Sequence, residues 1–277
     1  MSTQSHEPAG RALRAVILDW AGTTVDYGSR APPLVFVQVF TGKGVPISVE
    51  EARGPMGMQK HDHIRTLTRE PAIARRWEQV HGRPPGEADI DEMYEAFLPL
   101  QLAVLGDYTD LIPGLLEAQE GFRRRGLLIG SNTGYNRAMT DILLAAAQRQ
   151  GYRPDATVCA DDVPAGRPAP WMALRLAEGL NVFPMRAIVK IGDTVADIQE
   201  GRNAGMWTIG VALTGNELGL SAEEAAVLSP AERNRAREKA AARLYAAGAD
   251  YVVDGVGETL PVIDKINSRW TAQSSDY

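Results

Sequence analysis

The chain has 277 residues, 44% hydrophobic and 23% charged, enough to bury a substantial core in one large domain or two. Its net charge of −6 without a long basic block excludes a general nucleic-acid binder, and a single cysteine, Cys159, excludes an intramolecular disulfide or a cysteine-rich zinc site. Residues 1–10 are polar with no apolar signal core, and no run nears the roughly 18 apolar residues that span a bilayer, so a cytoplasmic protein with no membrane partner is expected.

The first strand-like run, residues 14–19, is apolar and ends in Asp19. Residues 31–105 then offer helical patterns and no convincing strand. Pro32-Pro33 opens a helix over 34–40, residues 42–46 close it, and Ser48 with Glu51 resembles a capping box for the next. Helices over 64–69, 72–80 and 88–105 continue the pattern. Beyond them, strands at 126–131, 155–159, 186–192, 207–211 and 250–253 alternate with helices at 136–149, 168–180 and 195–204. Residues 231–247 read as a solvated surface helix, and Cys159 as a small buried hydrophobe. Strands alternating with helices predict an α/β fold with a parallel sheet covered on both faces, and functional groups at the carboxyl ends of its strands. The strandless stretch predicts an inserted all-helical cap over 28–106, with hinges at 27–30 and 106–110 and the core formed by 1–27 and 107–277.

Asp19 is followed by Trp20-Ala21-Gly22-Thr23-Thr24, a small-residue turn whose backbone N–H groups can close around an anion. Asp19 alone serves equally well as a nucleophile or as the cap of a turn. Asp193 and Asp197, in Gly192-Asp193-Thr194-Val195-Ala196-Asp197, add two carboxylates beyond another buried strand, hard oxygen ligands suited to Mg²⁺. Asp193 is the better ligand, and Asp197 either ligates or orients its neighbours. Ser131 and Thr133 offer hydroxyls at a helix start, and Arg167 a positive charge, which together make an anion site.

Two features sharpen this picture. An ester hydrolase of this build needs an acid two residues past Asp19, where the chain has Ala21. Arginine supplies 24 of the 29 basic residues, so a lysine in Met56-Gly57-Met58-Gln59-Lys60 suggests chemistry that a guanidinium cannot do, such as imine formation.

The order Asp-x-x-Gly-Thr, Ser/Thr after the second strand, a basic residue before Pro168, and Gly-Asp-x-x-x-Asp resembles the haloacid dehalogenase superfamily. Asp19-Trp-Ala-Gly-Thr-Thr, Pro55-Met-Gly-Met-Gln-Lys60, Asp161 to Pro168 and Gly192 to Trp207 resemble its phosphonatase family more narrowly, with Ser29 standing where some members carry cysteine. The resemblance implies a Rossmann-like core and C–P bond hydrolysis of phosphonoacetaldehyde. Lys60 would form an imine with the aldehyde, Asp19 would attack phosphorus, and the carbon would leave as an enamine that needs no acid at Ala21. It further implies Mg²⁺ at Asp19, the Ala21 carbonyl, Asp193 and Asp197. Met56 and Gly57 would touch substrate, His63 would move protons one helical turn from Lys60, and Tyr135 would assist imine formation. A homodimer is implied in the same way. The competing expectations are a capped phosphomonoesterase in which Lys60 only binds substrate, and a catalytically silent Mg²⁺- or phosphate-binding regulator.

Overall fold

The computed structural model describes residues 12–272. The expectations for residues 1–11 and 273–277 lie outside the described residues. Among the described residues, six strands form one parallel sheet: β1 (Ala15–Asp19), β2 (Leu128–Thr133), β3 (Ala156–Cys159), β4 (Ile188–Gly192), β5 (Trp207–Val211) and β6 (Tyr251–Val253). They lie in the order β3-β2-β1-β4-β5-β6. Every residue of β1, β4 and β5 is buried, as parallel strands covered on both faces require. Strand order reverses at β1, so the crevice at its carboxyl end is the expected ligand position for an open α/β sheet.

Between β1 and β2 lie only helices, of which the first five are α1 (Ala31–Gly42), α2 (Val49–Arg53), α3 (Lys60–Arg69), α4 (Pro71–His81) and α5 (Glu87–Leu105). These five form the expected helical cap, in which α5 packs on α1 and α3. The Ser48/Glu51 capping box is present at α2. After the cap come α6 (Leu115–Arg124), α7 (Arg137–Gln150), α8 (Trp171–Gly179), α9 (Val195–Asn203), α10 (Ala222–Ala226), α11 (Pro230–Ala246) and α12 (Thr259–Ala272). Helix α8 packs on β2 and β3, and α9 on β4 and β5. No helix among the described residues is long and apolar enough to cross a membrane.

Several local expectations shift, among them the starts of α1, at Ala31 rather than 34, and of α3, at Lys60 rather than 64. The second strand runs Leu128–Thr133 rather than 126–131, because Gly126 takes φ +70° to end α6 and is spent in that turn. The carboxyl end of the strand therefore moves from Ser131 to Thr133. The fourth strand begins at Ile188, after a short 3₁₀ turn over Met185–Ala187. Helix α8 begins at Trp171, three residues later than expected, because the chain turns through Pro168 and Pro170 before it coils. The sequence pattern assigns no element to α6, α10 or α12; in α6, Leu115, Ala118 and Phe122 share a buried face at helical spacing.

Candidate active site

Parallel pairing in register lays Leu18 beside Ser131 and Asp19 beside Asn132, which brings the ends of β1 and β2 together. Asp19 Oδ1 pairs with Arg167 Nη1 at 2.7 Å. Burial raises the Asp19 carboxyl above its ordinary range, and the guanidinium opposes that rise, favouring the ionised form a nucleophile needs. The backbone N–H groups of Thr23, Thr24 and Val25 all donate to the Trp20 carbonyl, winding the turn that follows the nucleophile. Gly22, at φ +86°, admits this turn because a Cβ there would fall 2.3 Å from Asp193 Oδ2.

A cavity of about 20 Å³ lies over Asp19, with Ala21, Met56, Gly57, Lys60, Thr133, Tyr135 and Arg167 among its walls. Sequence reasoning had named all of these, and the fold brings them together. Thr133 Oγ1 accepts the Tyr135 N–H at 3.1 Å, which leaves its own proton to donate into the cavity. Ser131 does not line the cavity. Its hydroxyl is within the strand and bonds the Tyr152 hydroxyl at 2.6 Å, so the expectation of a phosphate contact there is corrected by the two-residue strand shift.

Lys60 is buried at the first position of α3, its Nζ 4.8 Å from the centre of the Tyr135 ring and 5.9 Å from that of Phe36. Burial lowers its ammonium to about 8, with Asp19 pulling the other way. Part of the amine is therefore neutral near physiological pH and able to attack a carbonyl. His63 stacks on Phe36 with ring centres 3.9 Å apart, and its Nε2 is 2.8 Å from the Ala52 carbonyl. A carbonyl only accepts, so Nε2 carries the proton and Nδ1 keeps a free lone pair, for which no partner is found. Burial and then Lys60 hold this imidazole well below its ordinary range, hence neutral. The Tyr135 hydroxyl is likewise buried without a partner and stays protonated, held well above its ordinary range by burial. An orphaned donor on a cavity wall is what a bound polar ligand would satisfy.

Cap and core interlock here. A Cβ on Gly57, at φ +89°, would fall 2.2 Å from Thr194 Oγ1, and one on Gly134 would fall 2.6 Å from the Met58 carbonyl oxygen.

Three functional residues were missed. Lys190, fully buried in β4, donates to Asp197 Oδ1 at 2.7 Å and to Asn132 Oδ1 at 3.0 Å. Asn132 Nδ2 reaches both Glu200 oxygens, at 2.9 and 3.0 Å, and Arg167 Nε pairs with Glu200 Oε2 at 3.0 Å. The signal available was a lysine inside an otherwise apolar strand and an acid one turn beyond Asp197. Both Asp197 oxygens are engaged: Oδ1 by Arg167 and Lys190, Oδ2 by the Thr194 hydroxyl at 2.6 Å. These charges hold its carboxyl below the ordinary range despite burial.

Asp193 is different. Among the described residues its oxygens accept only from the Thr23 hydroxyl, at 3.0 Å, and the Asn216 N–H, at 2.7 Å, and no cation pairs with it. Burial and the facing Asp19 and Asp197 raise its carboxyl well above the ordinary range. One oxygen each from Asp19, Asp193 and Asp197 lies within 4.8 Å of the others. Asp19, Asp193, Asp197 and Glu200 thus face two basic groups, Arg167 and Lys190. With the carboxylates ionised the acids outnumber these bases, Lys60 also acting on Asp19, so a divalent cation would offset the excess negative charge, and the all-oxygen donor set fits a hard one.

A family model described as haloacid dehalogenase-like hydrolase matches residues 13–205. The chain is 53% identical over 258 residues to a phosphonoacetaldehyde hydrolase-like protein of Syntrophobacter fumaroxidans, covering 92% of each. It is 49% identical to a phosphonoacetaldehyde hydrolase of Bacillus cereus, covering 93% of this chain and 97% of that one. The crystal structure of a phosphonoacetaldehyde hydrolase-like protein from Oleispira antarctica superposes with a TM-score of 0.92 at 42% identity, covering 94% of this chain and 95% of that one.

Proposed function

The chain belongs to the haloacid dehalogenase-like hydrolase family, and we propose that it hydrolyses the C–P bond of phosphonoacetaldehyde to acetaldehyde and phosphate. The observation that carries this reading is one cavity walled by the Asp19 carboxylate, the Lys60 amine and, two residues past the nucleophile, only the methyl of Ala21. The neutral Lys60 amine adds to the aldehyde carbon, and loss of water leaves a protonated imine. His63 Nδ1 is free to take the proton that the attacking amine sheds, and the Tyr135 hydroxyl to donate to the carbonyl oxygen. Asp19 then attacks phosphorus. The C–P bond breaks, and its electron pair flows through carbon onto the iminium nitrogen, giving an enamine. Protonation at carbon and hydrolysis of the imine release acetaldehyde and regenerate Lys60. Water cleaves the aspartyl phosphate on Asp19. Thr133 donates to a phosphoryl oxygen. Arg167, whose N–H groups are engaged by Asp19, Asp197, Glu200 and Asn132, reaches one by exchanging its Asp19 contact. Met56 and Gly57 close the aldehyde end.

Asp19, the Ala21 carbonyl and Asp193 would hold Mg²⁺, which supplies charge neutralisation between the attacking carboxylate and the phosphonate. Asp197, with both oxygens engaged elsewhere, orients Arg167 and Lys190 rather than ligating. A 20 Å³ cavity has room for about one water, so substrate enters only when residues 28–106 lift away as a cap. A homodimer is proposed from family likeness alone. Release of both phosphate and acetaldehyde from phosphonoacetaldehyde with Mg²⁺ tests the reading. A phosphatase of the same fold would release phosphate from esters and leave the phosphonate intact.

Ala21→Asp should not speed C–P cleavage, because the enamine needs no proton there and a new carboxylate would add to an acidic cluster. Phosphonatase turnover above that of the parent chain would mean the leaving group has been misread. The pH profile gives a further check. Raising pH through about 8 converts Lys60 to its nucleophilic form, so kcat/KM should climb about tenfold per pH unit below that point and level above it. A limb that keeps rising toward 10.5 would mean an unperturbed lysine.

A further inference from the structure

Arg53 ends α2 on the segment that leads to Lys60, yet its guanidinium does not face the cavity. Its Nη1 donates to the Gly28 carbonyl at 2.9 Å, to the Ser29 carbonyl at 3.2 Å and to Asn216 Oδ1 at 3.1 Å, and its Nη2 to the Gly219 carbonyl at 3.0 Å. One planar fork therefore joins the crossing from core to cap with the loop that follows β5. Asn216 on that loop donates its backbone N–H to Asp193 Oδ2 at 2.7 Å. The packing is close: a Cβ on Gly219, at φ +71°, would fall 2.8 Å from the guanidinium carbon. A Cβ on Gly28, at φ +84°, would fall 2.1 Å from the Leu220 carbonyl oxygen.

We infer that Arg53 is a positioning residue that couples closure of the cap to the placement of Asp193. Arg53 travels with the cap, so lifting the cap withdraws the fork from Asn216 and Gly219. The loop between Gly215 and Gly219 then keeps the Glu217–Arg243 ion pair, at 2.9 Å, but loses its ties at Asn216 and Gly219, and with them the placement of the N–H that fixes one Asp193 oxygen. Among the described residues no cation pairs directly with Asp193, Arg53 itself acting on it only through its charge, and the Thr23 hydroxyl fixes only the other oxygen. The metal-ligating carboxylate is thus fully aligned only when the cap is down over a substrate. Arginine is needed because four acceptors on two segments call for a planar fork, which an ammonium cannot reproduce. The inference rests on the metal assignment for Asp193, not on the identity of the substrate.

The test uses the full chain with Arg53→Lys and Arg53→Ala. Hydrogen exchange of the backbone amides and calorimetric Mg²⁺ binding in the presence of inorganic phosphate are measured for each. Both variants should keep the exchange pattern of β1, β2 and β4. The amides of residues 215–219 should exchange at least about tenfold faster, and Mg²⁺ affinity should fall about 10–100-fold, the usual effect of losing a partner that orients a ligand. Lysine should not rescue either signal. Faster exchange confined to α2, or spread evenly over the core, would overturn the inference, as would Mg²⁺ affinity within threefold of the parent chain. Neither readout needs turnover, so failure here is separable from failure of the phosphonatase reading.

Discussion

Lys60→Arg should abolish C–P cleavage while leaving the fold intact. A carbanion leaving directly from phosphorus faces a prohibitive barrier, whereas an iminium conjugated to that carbon spreads the charge onto nitrogen, and only a primary amine can make one. The expected loss is on the order of 10⁴-fold or more in kcat, about 5.5 kcal/mol of transition-state stabilisation at about 1.4 kcal/mol per tenfold. Lys60→Met separates charge from crowding, since the cavity leaves little room for a longer side chain; it should fail equally. Borohydride added with acetaldehyde should inactivate the parent chain and leave a mass adduct on the Lys60 peptide. A residue that only bound phosphate would tolerate arginine, with the loss falling on KM. Turnover by Lys60→Arg together with an unlabelled parent chain would make the capped phosphomonoesterase the better reading.

Asp193→Asn should be nearly inactive and, without metal, more heat-stable than the parent chain. Asp193 is a buried carboxylate beside two others with no cation of its own, so removing its charge relieves repulsion. Asparagine can keep both hydrogen bonds. Its Oδ1 can accept from the Asn216 N–H, and its amide can donate to the Thr23 hydroxyl, which rotates to accept. Each kcal/mol of repulsion removed should raise Tm by about 2–4 °C in a chain of this size. Mg²⁺ should raise the Tm of the parent chain, because binding to the native state alone stabilises it, and should do little for the variant. Activity should fall by at least about 100-fold, and a chelator should reproduce that loss in the parent chain, with Mg²⁺ restoring it. A variant with lowered Tm and an undiminished response to Mg²⁺ would remove Asp193 from the metal site. Destabilisation and functional loss are expected to run in opposite directions here, as they do where a site holds like charges for chemistry.

Much of this protein was legible before any coordinates, because the signals are local. An apolar run ending in Asp19, the Ser48/Glu51 box and the alternation of strands with helices are written in neighbouring residues, and backbone sterics and hydrogen bonding act on them directly. Ala21 and the isolated Lys60 pointed to the chemistry because each departs from what the surrounding residue types would require. What only the tertiary structure decided depends on strand register and on contacts between distant segments. Whether Ser131 or Thr133 faces the cavity turned on where Gly126 ended a helix. Lys190, Asn132 and Glu200 lie 58, 68 and 10 positions from one another in their pairings, and only β1 lying between β2 and β4 brings them together. From sequence Asp193 is the better ligand, and Asp197 either ligates or orients its neighbours. Burial beside Arg167 and Lys190 gives Asp197 ion-pair partners that Asp193 lacks, and the roles proposed for the two rest on that difference in charge environment, which no local pattern encodes.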